Sequence, residues 1–119
     1  MIVFVEDSFV SAHWLPNVPD DHKCKKLHGH TYRIRIEFEG KVDKQTGWVV
    51  DYSEIKEKWS AVKTILDRTC LNEIKGLENS TCENLADWIW ERLDGFKHRY
   101  PYLKRIELRE TANCGVVKE

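Results

Sequence analysis

The sequence predicts an α+β layer: an antiparallel four-stranded sheet with two helices on one face. Three observations predict it. Residues 28–40 alternate with period 2, Tyr32, Ile34, Ile36 and Phe38 on one side and Thr31, Arg33, Arg35, Glu37 and Glu39 on the other, which marks a half-buried strand. Two stretches carry helical spacing, Ile55–Trp59–Val62–Leu66 and Leu85–Ile89–Leu93. The helical stretches lie between two strand pairs, so the order reads strand, strand, helix, helix, strand, strand.

Residues 1–13 form the first strand. Ile2 and Phe4, and equally Val3 and Val5, are apolar, so its first half is expected to be buried on both faces. Pro16, Asn17, Pro19 and Asp20-Asp21 make 15–27 a loop. The alternating strand follows, and a polar turn with Gly47 leads into a short strand-like run, Trp48-Val49-Val50. A helix begins at Asp51 to Ser53, either of which can cap it, and Leu66 to Asn72 closes it. Ser80-Thr81-Cys82-Glu83 reads as a capping box opening the second helix, which buries Leu85, Ile89, Leu93 and one of Trp88 and Trp90 and stops at Gly95. After Pro101 comes a hairpin with its turn at Ala112-Asn113-Cys114-Gly115, on which Ile106, Leu108 and Glu110 share a face.

The 119 residues, 41% hydrophobic and 33% charged, have the composition of one globular domain spanning 1–119. A net charge of −1 supplies no general field for nucleic acid or an anionic membrane. No apolar run approaches a membrane span, and Met1 to Asp7 lacks the basic region and cleavage site of a leader, so a cytoplasmic location is expected. The four cysteines include no C-x-x-C pair and are expected to be free thiols.

The chemistry concentrates in Cys24-Lys25-Lys26-Leu27-His28-Gly29-His30. On a regular strand His28 and His30 project from one face with Cβ atoms about 7 Å apart, which suits one metal ion, since zinc–nitrogen bonds are about 2.0–2.1 Å. His13, near the end of the first strand, lies across from them if the two strands pair antiparallel. Three imidazoles leave a fourth zinc position open. Cys24, flanked by Lys23, Lys25 and Lys26, is a candidate nucleophile or base, because neighbouring ammonium groups favour the thiolate form. Asp67, near a helix end, can orient a base. Glu110, on a core-facing side, needs a partner, either an ion pair or a ligand.

Together these residues resemble the 6-pyruvoyl-tetrahydropterin synthase / 6-carboxy-tetrahydropterin synthase family. The resemblance spans nearly the whole chain. It rests on Phe9-x-x-Ala12-His13, on Cys24-x3-His28-Gly29-His30, on Thr46 to Asp51, on Leu66-Asp67 and Leu71-Asn72, on Leu77-Glu78-Asn79 with Thr81 and Glu83 to Ala86, and on Glu110-Thr111. The three-residue gap between Cys24 and His28 is similar to the bacterial queuosine-precursor branch. The resemblance implies a tunnelling fold and a hexamer of two stacked trimers with active sites between subunits. It implies zinc on His13, His28 and His30, a catalytic Cys24 and Asp67, and Glu110 with Thr81 at the pterin. It also implies conversion of 7,8-dihydroneopterin triphosphate to 6-carboxy-5,6,7,8-tetrahydropterin, acetaldehyde and triphosphate. The chain departs from the pattern at Arg68, where the family has a proton-shuttling His after Leu-Asp. An always-charged guanidinium cannot shuttle a proton at neutral pH. Two alternatives therefore stand beside the lyase: a catalytically impaired pterin-binding protein on the same scaffold, and a 6-pyruvoyl-tetrahydropterin synthase.

Overall fold

The structure is a computed structural model that describes residues 1–94 and 101–119. In chain order the elements are β1 (Ile2–His13), β2 (His28–Glu39), α1 (Tyr52–Leu66), β3 (Thr69–Cys70), α2 (Cys82–Leu93), β4 (Tyr102–Arg109) and β5 (Gly115–Lys118), with single 3-10 turns at Lys23–Lys25 and Leu71–Glu73. They form an α+β layer whose sheet runs β3-β1-β2-β4-β5, with both helices packed on one face.

The alternation in β2 decides which face is inside. Tyr32, Ile34, Ile36 and Phe38 point toward the helices and are almost fully buried. They meet Val5 and Phe9 of β1 and Leu103, Ile106 and Leu108 of β4 on the sheet side, and Ile55, Trp59, Val62 and Leu66 of α1 with Leu85, Ile89 and Leu93 of α2 above. Truncating one such side chain to alanine costs roughly 2–5 kcal/mol. Phe9 stacks on Tyr32 with ring centroids 5.0 Å apart and meets Trp59 at 5.8 Å. The opposite face is polar, lined by Glu6, Ser8, Arg33, Arg35, Glu107 and Arg109.

β1 and β2 pair antiparallel without a break from Ile2↔Glu39 to His13↔His28. Only Val5 of the first few residues of β1 is buried. Ile2 and Phe4, expected to be covered on their own face, stay 44% exposed, and the Arg35 guanidinium lies 3.4 Å over the Phe4 ring. The helices cover one face alone, so an apolar residue on the other alternation finds no layer to pack into.

Among the described residues the sheet has five strands rather than four. The fifth comes from a segment assigned to the close of α1. The helix ends at Leu66, Asp67 is its C-cap, and Arg68 takes a left-handed φ of 59° that turns the chain out of the helix. The Arg68 N–H donates to the Val10 carbonyl, and Asp67 Oδ1 accepts from the Val10 N–H at 2.9 Å. This docking sets Thr69 and Cys70 parallel to Ser11 and Ala12.

Trp48-Val49-Val50 is not a strand. Asp43 gathers the Gln45 and Thr46 N–H groups on Oδ1, and its own N–H donates to the Trp48 carbonyl at 2.7 Å. The run is closed onto its own turn and pairs with no strand among the described residues. The α2 cap is also displaced by one residue: Thr81, not Ser80, accepts the Asn84 N–H. Ser80 is engaged elsewhere. Asp51 caps α1 through the Ser53 N–H. Gly95, read as the stop of α2, lies outside the described residues.

Candidate functional site

The β1–β2 register places His13 directly opposite His28 and puts His30 opposite Ser11, two residues along. All three imidazoles fall on the helix-side face at the end of the hairpin. Their ring centroids are 4.6 Å (His13–His28), 5.2 Å (His13–His30) and 4.9 Å (His28–His30) apart. Among the described residues, they are the one group of His, Cys, Asp or Glu side chains that converges tightly enough to hold a metal ion, with all ligand atoms within 4.8 Å of one another.

Each ring is oriented by what its other atoms touch. His13 Nδ1 bonds the Ser80 carbonyl at 2.8 Å and His28 Nδ1 bonds the Lys26 carbonyl at 2.7 Å. A carbonyl can only accept, so both Nδ1 atoms carry a proton, and in the neutral ring the lone pair is on Nε2. Carbonyl bonds of this kind fix the tautomer of metal-ligating histidines. Ser80 is itself fixed, because Asn72 ties the loop to β1: its Nδ2 donates to the carbonyls of Trp14 (2.7 Å) and Glu78 (3.0 Å), and its Oδ1 accepts from the Trp14 N–H.

The set fits a metal cation. His13 Nε2 and His30 Nε2 are buried with no hydrogen-bond partner among the described residues. Unpaired buried polar atoms are costly, and two from different strands aimed into one cluster match a missing electrophile. Burial lowers the pKa of both His13 and His30, with the neighbouring His28 adding to the effect. That keeps the imidazoles in the neutral form a metal requires. Three nitrogens without sulfur or a bridging carboxylate suit a divalent transition-metal ion, with a position left for a ligand.

Glu110, the residue after β4, stands at the edge of this cluster. Its Oε1 lies 3.5 Å from His30 Nε2, and its side chain is 28% exposed. The 110–114 turn aims it: Glu110 N–H donates to the Cys114 carbonyl, and a Cβ at Gly115 would collide with the Leu108 carbonyl, so the turn closes only around glycine. Tyr32, two residues beyond His30, continues the same face. Burial first, then the charge of Glu110, pushes its hydroxyl far above the usual tyrosine range, so it is a neutral O–H.

The other predicted residues are distributed around this centre. Cys24 sits in the Lys23–Lys25 turn, half-buried, with its carbonyl accepting from the Leu15 N–H at 2.8 Å, which ties the turn back beside the end of β1. Lys25, expected to act on the thiol, directs its ammonium to the carbonyls of Pro16 and Val18 and to Asp20. Thr81 caps α2 next to the Ser80 that holds His13. Asp67 and Arg68 dock at Val10, about 10 Å along β1 from His13. The Arg68 guanidinium is 88% exposed and 4.0 Å from Asp67. One chain thus joins the histidines with Glu110 and leaves Asp67 and Arg68 at a sheet edge.

Sequence reasoning missed Ser80, Asn72 and Tyr32 as parts of the site. The first acts through a main-chain carbonyl, which its side chain does not announce. Tyr32 carried a signal, since period 2 places 28, 30 and 32 on one face.

The model of the family described as 6-pyruvoyl tetrahydropterin synthase matches residues 2–119. The chain is 36% identical over 115 residues to 6-carboxy-5,6,7,8-tetrahydropterin synthase of Synechocystis, covering 92% of this chain and 86% of that protein. It is 37% identical over 95 residues to dihydroneopterin monophosphate aldolase of Pyrococcus furiosus, with 80% of each covered. The solved 6-pyruvoyl tetrahydropterin synthase of Caenorhabditis elegans superimposes with a TM-score of 0.87 at 28% identity, over 100% of this chain and 96% of that one.

Proposed function

The chain belongs to the 6-pyruvoyl tetrahydropterin synthase family, and from that premise we propose that it is a zinc-dependent pterin lyase of the 6-carboxy-5,6,7,8-tetrahydropterin synthase type. The substrates are 7,8-dihydroneopterin triphosphate and water, and the products are 6-carboxytetrahydropterin, acetaldehyde and triphosphate, on the route to a queuosine precursor. The observation that carries the reading is the convergence of three imidazoles with the Glu110 carboxylate at their edge.

His13, His28 and His30 hold the zinc, which when bound supplies a Lewis acid toward the substrate's side-chain hydroxyls. Glu110 binds the pterin ring: a carboxylate accepts two parallel N–H bonds, as the ring's amide and amino edge offers them. Cys24 takes a proton from the side-chain carbon as general base. Thr81 lies near the ring and keeps its helix cap. Asp67 and Arg68, distant from the histidines of their own chain, serve the site of a neighbour in a hexamer whose active sites lie between subunits. The sheet ends on β3 and β5, whose outer backbone groups a neighbouring subunit would pair or cover in that assembly.

A pterin-binding protein without turnover is favoured by Arg68 alone. An assay of the zinc-loaded protein with dihydroneopterin triphosphate decides between them. Release of acetaldehyde with a 6-carboxypterin supports the lyase, and a 6-pyruvoyl product moves the chain to the sister chemistry. Tight pterin binding with no product establishes the binding protein.

A further inference from the structure

Tyr32 is fully buried, yet its hydroxyl has no hydrogen-bond partner among the described residues. Its ring is fixed on every side. It stacks on Phe9 at 5.0 Å and 10°, and it meets His30 edge-on at 5.6 Å and His13 at 6.2 Å. The direction of the O–H bond vector is free to rotate, but the oxygen is not free to move. Extending the β2–β4 register one step past Arg33↔Arg109 sets Glu110 across from Tyr32, and Cys82 packs at the same end of β4 through Leu108. Cys82 donates to the Leu108 carbonyl, and sulfur is a weak acceptor. Glu110 is the strong acceptor of the two.

Glu110 is equally unfinished. Its carboxylate lies 3.5 Å from His30 Nε2, but that nitrogen makes no hydrogen bond. The same nitrogen faces the metal cluster, so Glu110 cannot keep it as a partner when a metal is held. We propose that Tyr32 is a positioning residue for Glu110: in the ligand-bound protein its hydroxyl donates to the Glu110 carboxylate and keeps the remaining lone pairs aimed at the N–H edge of the pterin. This rests on Glu110 being the pterin anchor. A carboxylate has about four acceptor sites, so one bond from Tyr32 leaves enough for two from the ring. Bonds to an ionised group are the strong class, and an anchor held by one loses less freedom when the ligand binds.

A hydroxyl that merely filled space in the core would behave differently. Its removal would relieve an unpaired buried group, raise stability, and leave ligand binding unchanged.

Four zinc-loaded proteins separate these outcomes: wild type, Tyr32→Phe, Glu110→Gln and the double variant. Sepiapterin affinity is measured by calorimetry, with zinc content and ligand-free Tm recorded for each. Tyr32→Phe is expected to weaken sepiapterin roughly tenfold or more, with unchanged zinc and a Tm equal to or above wild type. In the Glu110→Gln background the same change is expected to cost nothing further, because the hydroxyl acts through that carboxylate. Wild-type affinity in Tyr32→Phe overturns the inference, as does an equal loss in both backgrounds or a lower Tm with intact binding. If Glu110→Gln loses sepiapterin while Tyr32→Phe keeps it, the pterin reading stands and the role of Tyr32 falls. If the wild type does not bind sepiapterin, the pterin reading falls and takes this role with it.

Discussion

Arg68 is where the backbone and the chemistry can be perturbed separately. Its φ of 59° lies in the left-handed region, which costs an L-residue about 1–2 kcal/mol. The side chain does little against that cost: it is 88% exposed, and its contact with Asp67 is 4.0 Å, an exposed pair worth about 0–0.5 kcal/mol. Arg68→Gly removes the strain and adds about 0.5–1 kcal/mol of unfolded-chain freedom. The net is a gain of about 0.5 kcal/mol, or a Tm roughly 2 °C higher for a chain of this size. Arg68→Ala keeps the strain and should melt near wild type. Arg68→His keeps it too, and His is among the residues enriched at positive φ, so that variant should fold normally. It also restores a group with a pKa of about 6.5 that can accept and return protons. A general acid–base group typically contributes about 10²–10⁴-fold. Turnover of dihydroneopterin triphosphate by Arg68→His is therefore expected to rise by at least about tenfold, with sepiapterin affinity little changed. The assay is product release under saturating substrate, beside a melting curve for each variant. A wild type that is already fast and is slowed by Arg68→His would show that the guanidinium acts positively, and the idea of a missing proton shuttle would be wrong. A lower Tm for Arg68→Gly would refute the strain argument independently.

Metal analysis after growth with ample zinc should find about one zinc per chain, and His28→Ala should lose it because two ligands remain; well under half an equivalent in wild type would sink the site. Light scattering at micromolar concentration should give a hexamer, whereas a monomer would remove the neighbour's Asp67 and Arg68 from the mechanism. The metal-free protein should lose stability in acid. Burial holds the folded pKa of His13 and His30 below the ordinary 6.5, so the unfolded chain binds protons first as pH falls. Their contribution is complete above about pH 6.5 and is lost as pH drops through the lower folded values. Melting curves from pH 8 to 5 check this; a wild type and a His13→Gln variant with the same pH profile would show that the imidazole is not the cause.

The alternation of residues 28–40 settled β2, its buried face and the shared direction of His28 and His30, because a strand's period of 2 is a property of the local backbone. Helical spacing placed the body of α1 in the same way and narrowed its cap to Asp51 to Ser53, and the F-x-x-A-H and C-x3-H-G-H segments pointed to the family. Those features are local, so the sequence alone determines them. The distribution of exposed and buried residues in early β1 was not legible, since Ile2 and Phe4 are as apolar as Val5 and only the placement of the helices decides which alternation is covered. The β3 strand was not legible either: Thr69 and Cys70 become a strand because Asp67 and Arg68 bond Val10, a residue far away in the chain. The site divides along the same line. The types and spacing of the three histidines could be read directly, but their tautomers are set by main-chain carbonyls at Ser80 and Lys26, and the unpaired Tyr32 hydroxyl exists only because Phe9, His13 and His30 close around it. Side-chain type is written residue by residue, whereas burial and hydrogen-bond partners arise when distant segments meet, and it is these that make an imidazole neutral and aim its free nitrogen at a common point.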